Sequence, residues 1–65
     1  MLTDVECILL LEGCGWLEYL GNLYEYIDDI DGLHYFHNIN DLTDHITVSD
    51  RALRKSTEFY YTEKY

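Results

Sequence analysis

Apolar positions along this chain follow a helical period more often than a strand-like one. Thr3-Asp4-Val5-Glu6 has the form of a capping box, in which a Thr hydroxyl and a Glu carboxylate each satisfy a backbone amide of the other residue. Val5, Ile8, Leu9 and Glu12 then fall at helical spacing, and Gly13 is a natural stop. A first helix is therefore expected over Asp4 to Glu12, apolar around much of its girth and so buried or at an interface. The most regular pattern comes next: Trp16, Leu17, Leu20, Leu23, Tyr24, Ile27 and Ile30 recur at helical intervals, opposite Glu18, Asn22, Glu25, Asp28 and Asp29. It predicts a second helix ending at an Asp31-Gly32 turn, with Gly21 marking close packing against a neighbouring helix.

The remaining pattern is mixed. Leu33, Tyr35, His37 and Ile39 alternate as in a strand, while Phe36, Ile39, Leu42 and Ile46 are spaced as in a helix. Asn40-Asp41 and Ser49-Asp50 suit caps or turns, and Ala52, Leu53, Ser56, Phe59 and Tyr60 form a helical stripe. The tail from Glu58 to Thr62 also suits a strand. The expected fold is all-α, a compact bundle of three to four short helices. The alternative is α+β, with a short hairpin from 33–48 and the C-terminal tail.

Size and composition tighten this picture. Sixty-five residues make one domain, 1–65, and so short a chain buries only about 60% of the surface its unfolded form exposes. A hydrophobic content of 48%, with seven Tyr, two Phe and one Trp, separates it from disordered acidic tails. The absence of Pro and the scarcity of Gly favour helices over a turn-rich sandwich. Asp4 and Glu6 stand where a signal peptide would be positive, and no apolar run approaches the roughly 20 residues of a membrane span. A cytoplasmic location follows as the expectation, with Cys7 and Cys14 as reduced thiols.

Charge changes the picture most. Between Met1 and Asp50 lie eleven carboxylates and no Lys or Arg, and the net charge of the chain is −9. The cations Arg51, Arg54, Lys55 and Lys64 all fall in the last fifteen residues. Such a balance destabilises a compact state by self-repulsion, so a basic partner or a need for solubility is the expected reason for it.

Other chemistries are poorly served. Cys7, Cys14, His34 and His37 supply four ligand types, but at spacings unlike those of structural zinc sites. Asp28 to Gly32 resembles a fragment of a calcium loop without its ligand spacing or terminal Glu. No pairing of carboxylates and histidines singles out a catalytic centre, so an enzyme is not expected. His34, His37 and His45 are expected as surface groups or core-edge hydrogen bonders. Ile46 to Lys55 resembles the turn and recognition helix of a helix-turn-helix, with Ser49 as the cap, yet the overall charge repels phosphate. Direct nucleic-acid binding, a metal, a cofactor and a membrane are all outside the expected set.

In length, acidic run and aromatic content, with Glu25-Tyr26-Ile27-Asp28-Asp29-Ile30-Asp31 as the densest stretch, the chain resembles small acidic phage-encoded inhibitors of host defence. That class includes DNA mimics and anti-restriction and anti-CRISPR proteins. The resemblance is one of class, without a family motif, and it implies a stoichiometric inhibitor in the cytoplasm of a host cell. Its acidic helical face would cover the basic, nucleic-acid-binding surface of a target protein. The expected partner-binding residues are Glu18, Glu25, Asp28, Asp29 and Asp31, with Tyr19 and Tyr26 as aromatic anchors. The second expectation is a helical interaction module that dimerises or docks through Val5, Ile8, Leu9 and the Trp16 stripe.

Overall fold

The structure, a computed structural model, describes residues 1–64. It overturns the helical bundle: five antiparallel strands form one sheet, and two short helices cover one of its faces. The order along the chain is α1 (Asp4–Leu11), β1 (Gly15–Tyr19), β2 (Asn22–Ile30), β3 (Leu33–Asn38), β4 (Asp41–Ser49), α2 (Asp50–Lys55) and β5 (Phe59–Glu63). Across the sheet the strands run β4-β3-β2-β1-β5, so the last strand returns to pair with the first. The α+β alternative confined strands to 33–48 and the tail, whereas the sheet also takes residues 15–30.

The first helix forms where its caps require. Thr3 Oγ1 accepts from the Glu6 amide at 3.1 Å, and Glu6 Oε1 accepts from the Thr3 amide at 2.9 Å. At the other end Gly13 adopts φ +80°, the Cys14 amide reaches the Leu9 carbonyl at 2.9 Å, and the Gly13 amide reaches Leu10. This double closure reverses the chain into β1.

The expected second helix is instead a β-hairpin. Leu20 and Gly21 have φ of +51° and +79°, the signature of a two-residue type I′ turn, and Leu17 lies opposite Tyr24 across it. Gly21 is therefore a turn residue, not a helix-packing one; a Cβ there would meet nothing within 4 Å. The helical stripe dissolves accordingly. Leu17 and Tyr24 are buried, but Leu20, Ile27 and Ile30 are exposed, and Trp16 lies on the face opposite Leu17. A second type I′ turn, Asp31-Gly32, joins β2 to β3.

Strand alternation then builds the core. Leu17, Tyr24, Phe36, Val48 and Phe59 point to the helices and meet Leu2, Cys7, Leu10 and Leu53. Tyr19, Tyr26, Ile46 and Tyr61 pack around that cluster. Gly15 admits the Tyr61 ring directly over its backbone, where any Cβ would collide with it. Polar groups close the β3–β4 end. Asp44 Oδ2 accepts from Tyr24 Oη at 2.8 Å and from Asn38 Nδ2 at 3.2 Å, an arrangement reached through an irregularity in β4 between Asp41 and His45.

Candidate protein-binding face

The seven residues expected to form the binding face lie on β1, β2 and the following turn, and strand geometry divides them. Tyr19 and Tyr26 turn inward. Tyr19 packs edge-on against Phe59 with ring centroids 5.2 Å apart, and Tyr26 does the same against Phe36 at 5.5 Å. Burial and the nearby Asp29 carboxylate push the Tyr26 phenol up. Both tyrosines are half-buried and pack against the core, because alternation places them on the side the helices cover, away from Glu18 and Glu25.

Glu18 and Glu25 lie on the open face of the sheet, and Glu25 is already engaged. Its Oε2 accepts from Lys64 Nζ at 2.8 Å, and its Oε1 stands 3.6 Å from His37 Nε2. The Lys64 hydrogen bond holds the Glu25 carboxyl below its ordinary value. Register sets Glu25, His37 and His45 side by side across β2, β3 and β4. No local signal announces this row, since Lys64 and Glu25 are 39 positions apart.

Asp28, Asp29 and Asp31 are brought together at the end of the β2–β3 hairpin, and all three are exposed. A register shift after Tyr26 makes Ile27 an extra residue, so Asp28 faces Tyr35 on the open side while Asp29 lies opposite His34. Among the described residues no cation comes within 4 Å of these three carboxylates. Exposed Ile27, Ile30 and Leu33 are interleaved with them, at 48%, 52% and 37% of full exposure. The helical spacing predicts the first two in a buried stripe, whereas the structure exposes both.

Two of the four cations, Arg54 and Lys64, serve internal partners. Arg54 Nε donates to Asp50 Oδ2 at 3.0 Å, and its Nη1 lies 3.5 Å from Asp4, tying α2 to α1. Buried His34 places Nε2 3.1 Å from Asp50 Oδ1, which ties β3 to α2. The His34 and Arg54 contacts hold the Asp50 carboxyl below its usual range. Ser49 does cap α2, accepting from the Ala52 amide at 3.1 Å. The segment before it is a strand, however, and the helix has only six residues, so Ile46–Lys55 is not a helix-turn-helix.

The other candidate clusters are dispersed. Cys7 is buried, Cys14 is exposed, and His34 and His37 leave β3 on opposite faces. Burial pushes the Cys7 thiol up. Val5 and Ile8 are exposed on α1, but Trp16 lies on the face of the sheet away from the helices, so the apolar stripe expected to support dimerisation is not continuous. Among the described residues no three ligating side chains converge and no pocket opens. Among the described residues no helix is long and apolar enough to cross a membrane. No family model, curated protein or solved structure matches this chain.

Proposed function

We propose that this protein is a stoichiometric inhibitor that docks the acidic end of its β2–β3 hairpin on the basic, nucleic-acid-binding surface of a target protein. The observation that carries this reading is the uncompensated state of Asp28, Asp29 and Asp31. Arg54 and Lys64 are spent on Asp4, Asp50 and Glu25, while the hairpin carboxylates face solvent without a cation within 4 Å among the described residues. At a strand rise of about 3.4 Å per residue, the three carboxylates from Asp28 to Asp31 average about one charge per 5 Å of chain. One phosphate per about 3.4 Å along a DNA strand is a comparable density.

Carboxylates would steer the encounter, and exposed Ile27, Ile30 and Leu33 would supply the apolar contact that holds it. The inhibitor performs no chemistry; it occupies the site that a phosphate backbone would occupy. The residues shift from a helical face to a hairpin end, and the aromatic anchors are replaced by aliphatic ones.

The test is the triple variant D28N/D29N/D31N, measured against a control that also removes three exposed charges, D4N/E12Q/D41N, on a basic target recovered with the immobilised chain. Three interfacial pairs worth about 0.5–1 kcal/mol each predict a loss of about 10–100-fold in affinity. Equal losses in the hairpin and control variants would show that net charge alone governs binding, and would sink the assignment.

A further inference from the structure

The edge of the sheet at β5 has a feature that the hairpin does not use. In the antiparallel β1–β5 pair, the Lys64 amide donates to the Cys14 carbonyl at 3.5 Å, and the register places Thr62 opposite Trp16 and Tyr60 opposite Glu18. Bonds in such a ladder alternate, so Tyr60, Thr62 and Lys64 bond toward β1. The amides and carbonyls of Phe59, Tyr61 and Glu63 consequently turn outward, and among the described residues no strand lies beyond β5 in the sheet. This edge carries no register irregularity. The other edge, β4, is broken between Asp41 and His45 and runs directly into α2. Irregularities of that kind blunt an edge against pairing, and β5 lacks one.

Charge around the open edge selects what can pair with it. Exposed Glu58 and Glu63 flank it, and Glu18 lies opposite Tyr60 on the neighbouring strand. Glu6, on α1, is close enough to Tyr61 to contribute with Glu63 to raising its phenol, behind the larger effect of burial. Lys64, the cation nearest the edge in sequence, is committed to Glu25. A second copy of the chain would arrive with the same net charge of −9. We infer that the β5 edge accepts an extended, Lys/Arg-bearing segment of the basic partner as a sixth antiparallel or parallel strand. This inference rests on the partner being basic, and it adds a backbone-recognition site to the electrostatic one. Outward amides would give the segment its affinity, and the alternating side-chain positions beside Tyr60, Phe59 and Tyr61 its selectivity.

The probe is a peptide of about seven alternating Lys and Val residues, a typical strand length. Amide hydrogen exchange is followed by NMR in the full chain. Binding is expected to slow exchange at Phe59, Tyr61 and Glu63 by about tenfold or more, since edge amides otherwise exchange near the unprotected limit. Glu63→Pro removes one outward donor without touching the β1 ladder, and Glu63→Gln removes only the charge. Proline should weaken the peptide about tenfold beyond glutamine, with Lys64 still protected in both variants. Three results would overturn the edge: peptide bound with these amides unprotected, equal affinity for the two variants, or a peptide-free dimer that already protects them. If the peptide perturbs Asp28, Asp29 and Asp31 in a salt-sensitive way while the β5 amides stay free, the hairpin reading survives and the edge does not. If it does not bind at low salt, the edge falls, while the hairpin reading is decided by the D28N/D29N/D31N variant.

Discussion

Replacing Leu20 by asparagine separates the sheet from the helical arrangement that the sequence pattern suggests. Leu20 sits at φ +51° in the β1–β2 turn and is 75% exposed. A side chain with a Cβ in the left-handed region costs about 1–2 kcal/mol, and asparagine carries much less of that penalty. The quarter of the leucine surface that is covered returns about 0.5 kcal/mol, taken from about 1.5–3 kcal/mol for a fully buried leucine. The substitution should therefore stabilise the protein by about 1 kcal/mol and raise its thermal midpoint by about 4–8 °C. Thermal unfolding followed by near-ultraviolet circular dichroism, with urea titration as a second probe, measures it. A helix burying Leu20 in its apolar stripe would instead lose about 2–5 kcal/mol. A fall in the midpoint would refute the turn and the hairpin with it.

Other consequences of the structure are open to simpler tests. Tyr24→Phe deletes a donor to half-buried Asp44 at the edge of the core and should cost about 1.5 kcal/mol in urea unfolding, the low end for a hydrogen bond to a charged group. Gly15→Ala should cost about 1–3 kcal/mol because the Tyr61 ring must leave its place, and the cost should largely vanish in a Tyr61→Ala background. Glu25 is held below its ordinary value by Lys64, so its stabilisation is fully present above the unfolded carboxylate value of about 4.3 and is lost as pH falls through the lower folded one. Urea midpoints of Lys64→Met and the parent should accordingly differ at neutral pH and converge below that folded value. Thiol labelling should modify exposed Cys14 rapidly and buried Cys7 only on unfolding, as read by mass spectrometry.

Local signals in the sequence were legible where a short-range bond creates them. The Thr3–Glu6 box, the Gly13 stop and the Ser49 cap all act within a few residues, and each stands in the structure. The β1–β2 hairpin was hidden because its turn uses Leu-Gly where Asn-Gly or Asp-Gly is the usual signal. Leu20 and Gly21 then joined two short strands into one run that mimics a helical stripe. Asp31-Gly32 carries the usual signal and is a turn as the sequence predicts, but the helical pattern before it hides that the turn joins two strands. Alternation at 33–39 is visible in the sequence, but its partner strand β2 is masked by the helical spacing of residues 16–30.

The candidate site was legible as composition and not as geometry. Asp28, Asp29 and Asp31 stand out in any count of charge, and the hairpin does gather them at one end. Which aromatics stay available to a partner depends on strand alternation, and the wrong period placed Tyr19 and Tyr26 outside. Long-range pairs such as Lys64 with Glu25 and Arg54 with Asp4 decide which carboxylates remain free. They depend on β5 returning beside β1 and α2 folding back over the sheet, which no spacing rule reveals.

Competition between this protein and duplex DNA for one basic target tests the central claim most directly. With the target and labelled inhibitor held fixed, increasing DNA should displace the inhibitor completely, and its affinity should fall steeply as salt rises. A ternary complex in which target, DNA and inhibitor coexist at saturation would contradict the account.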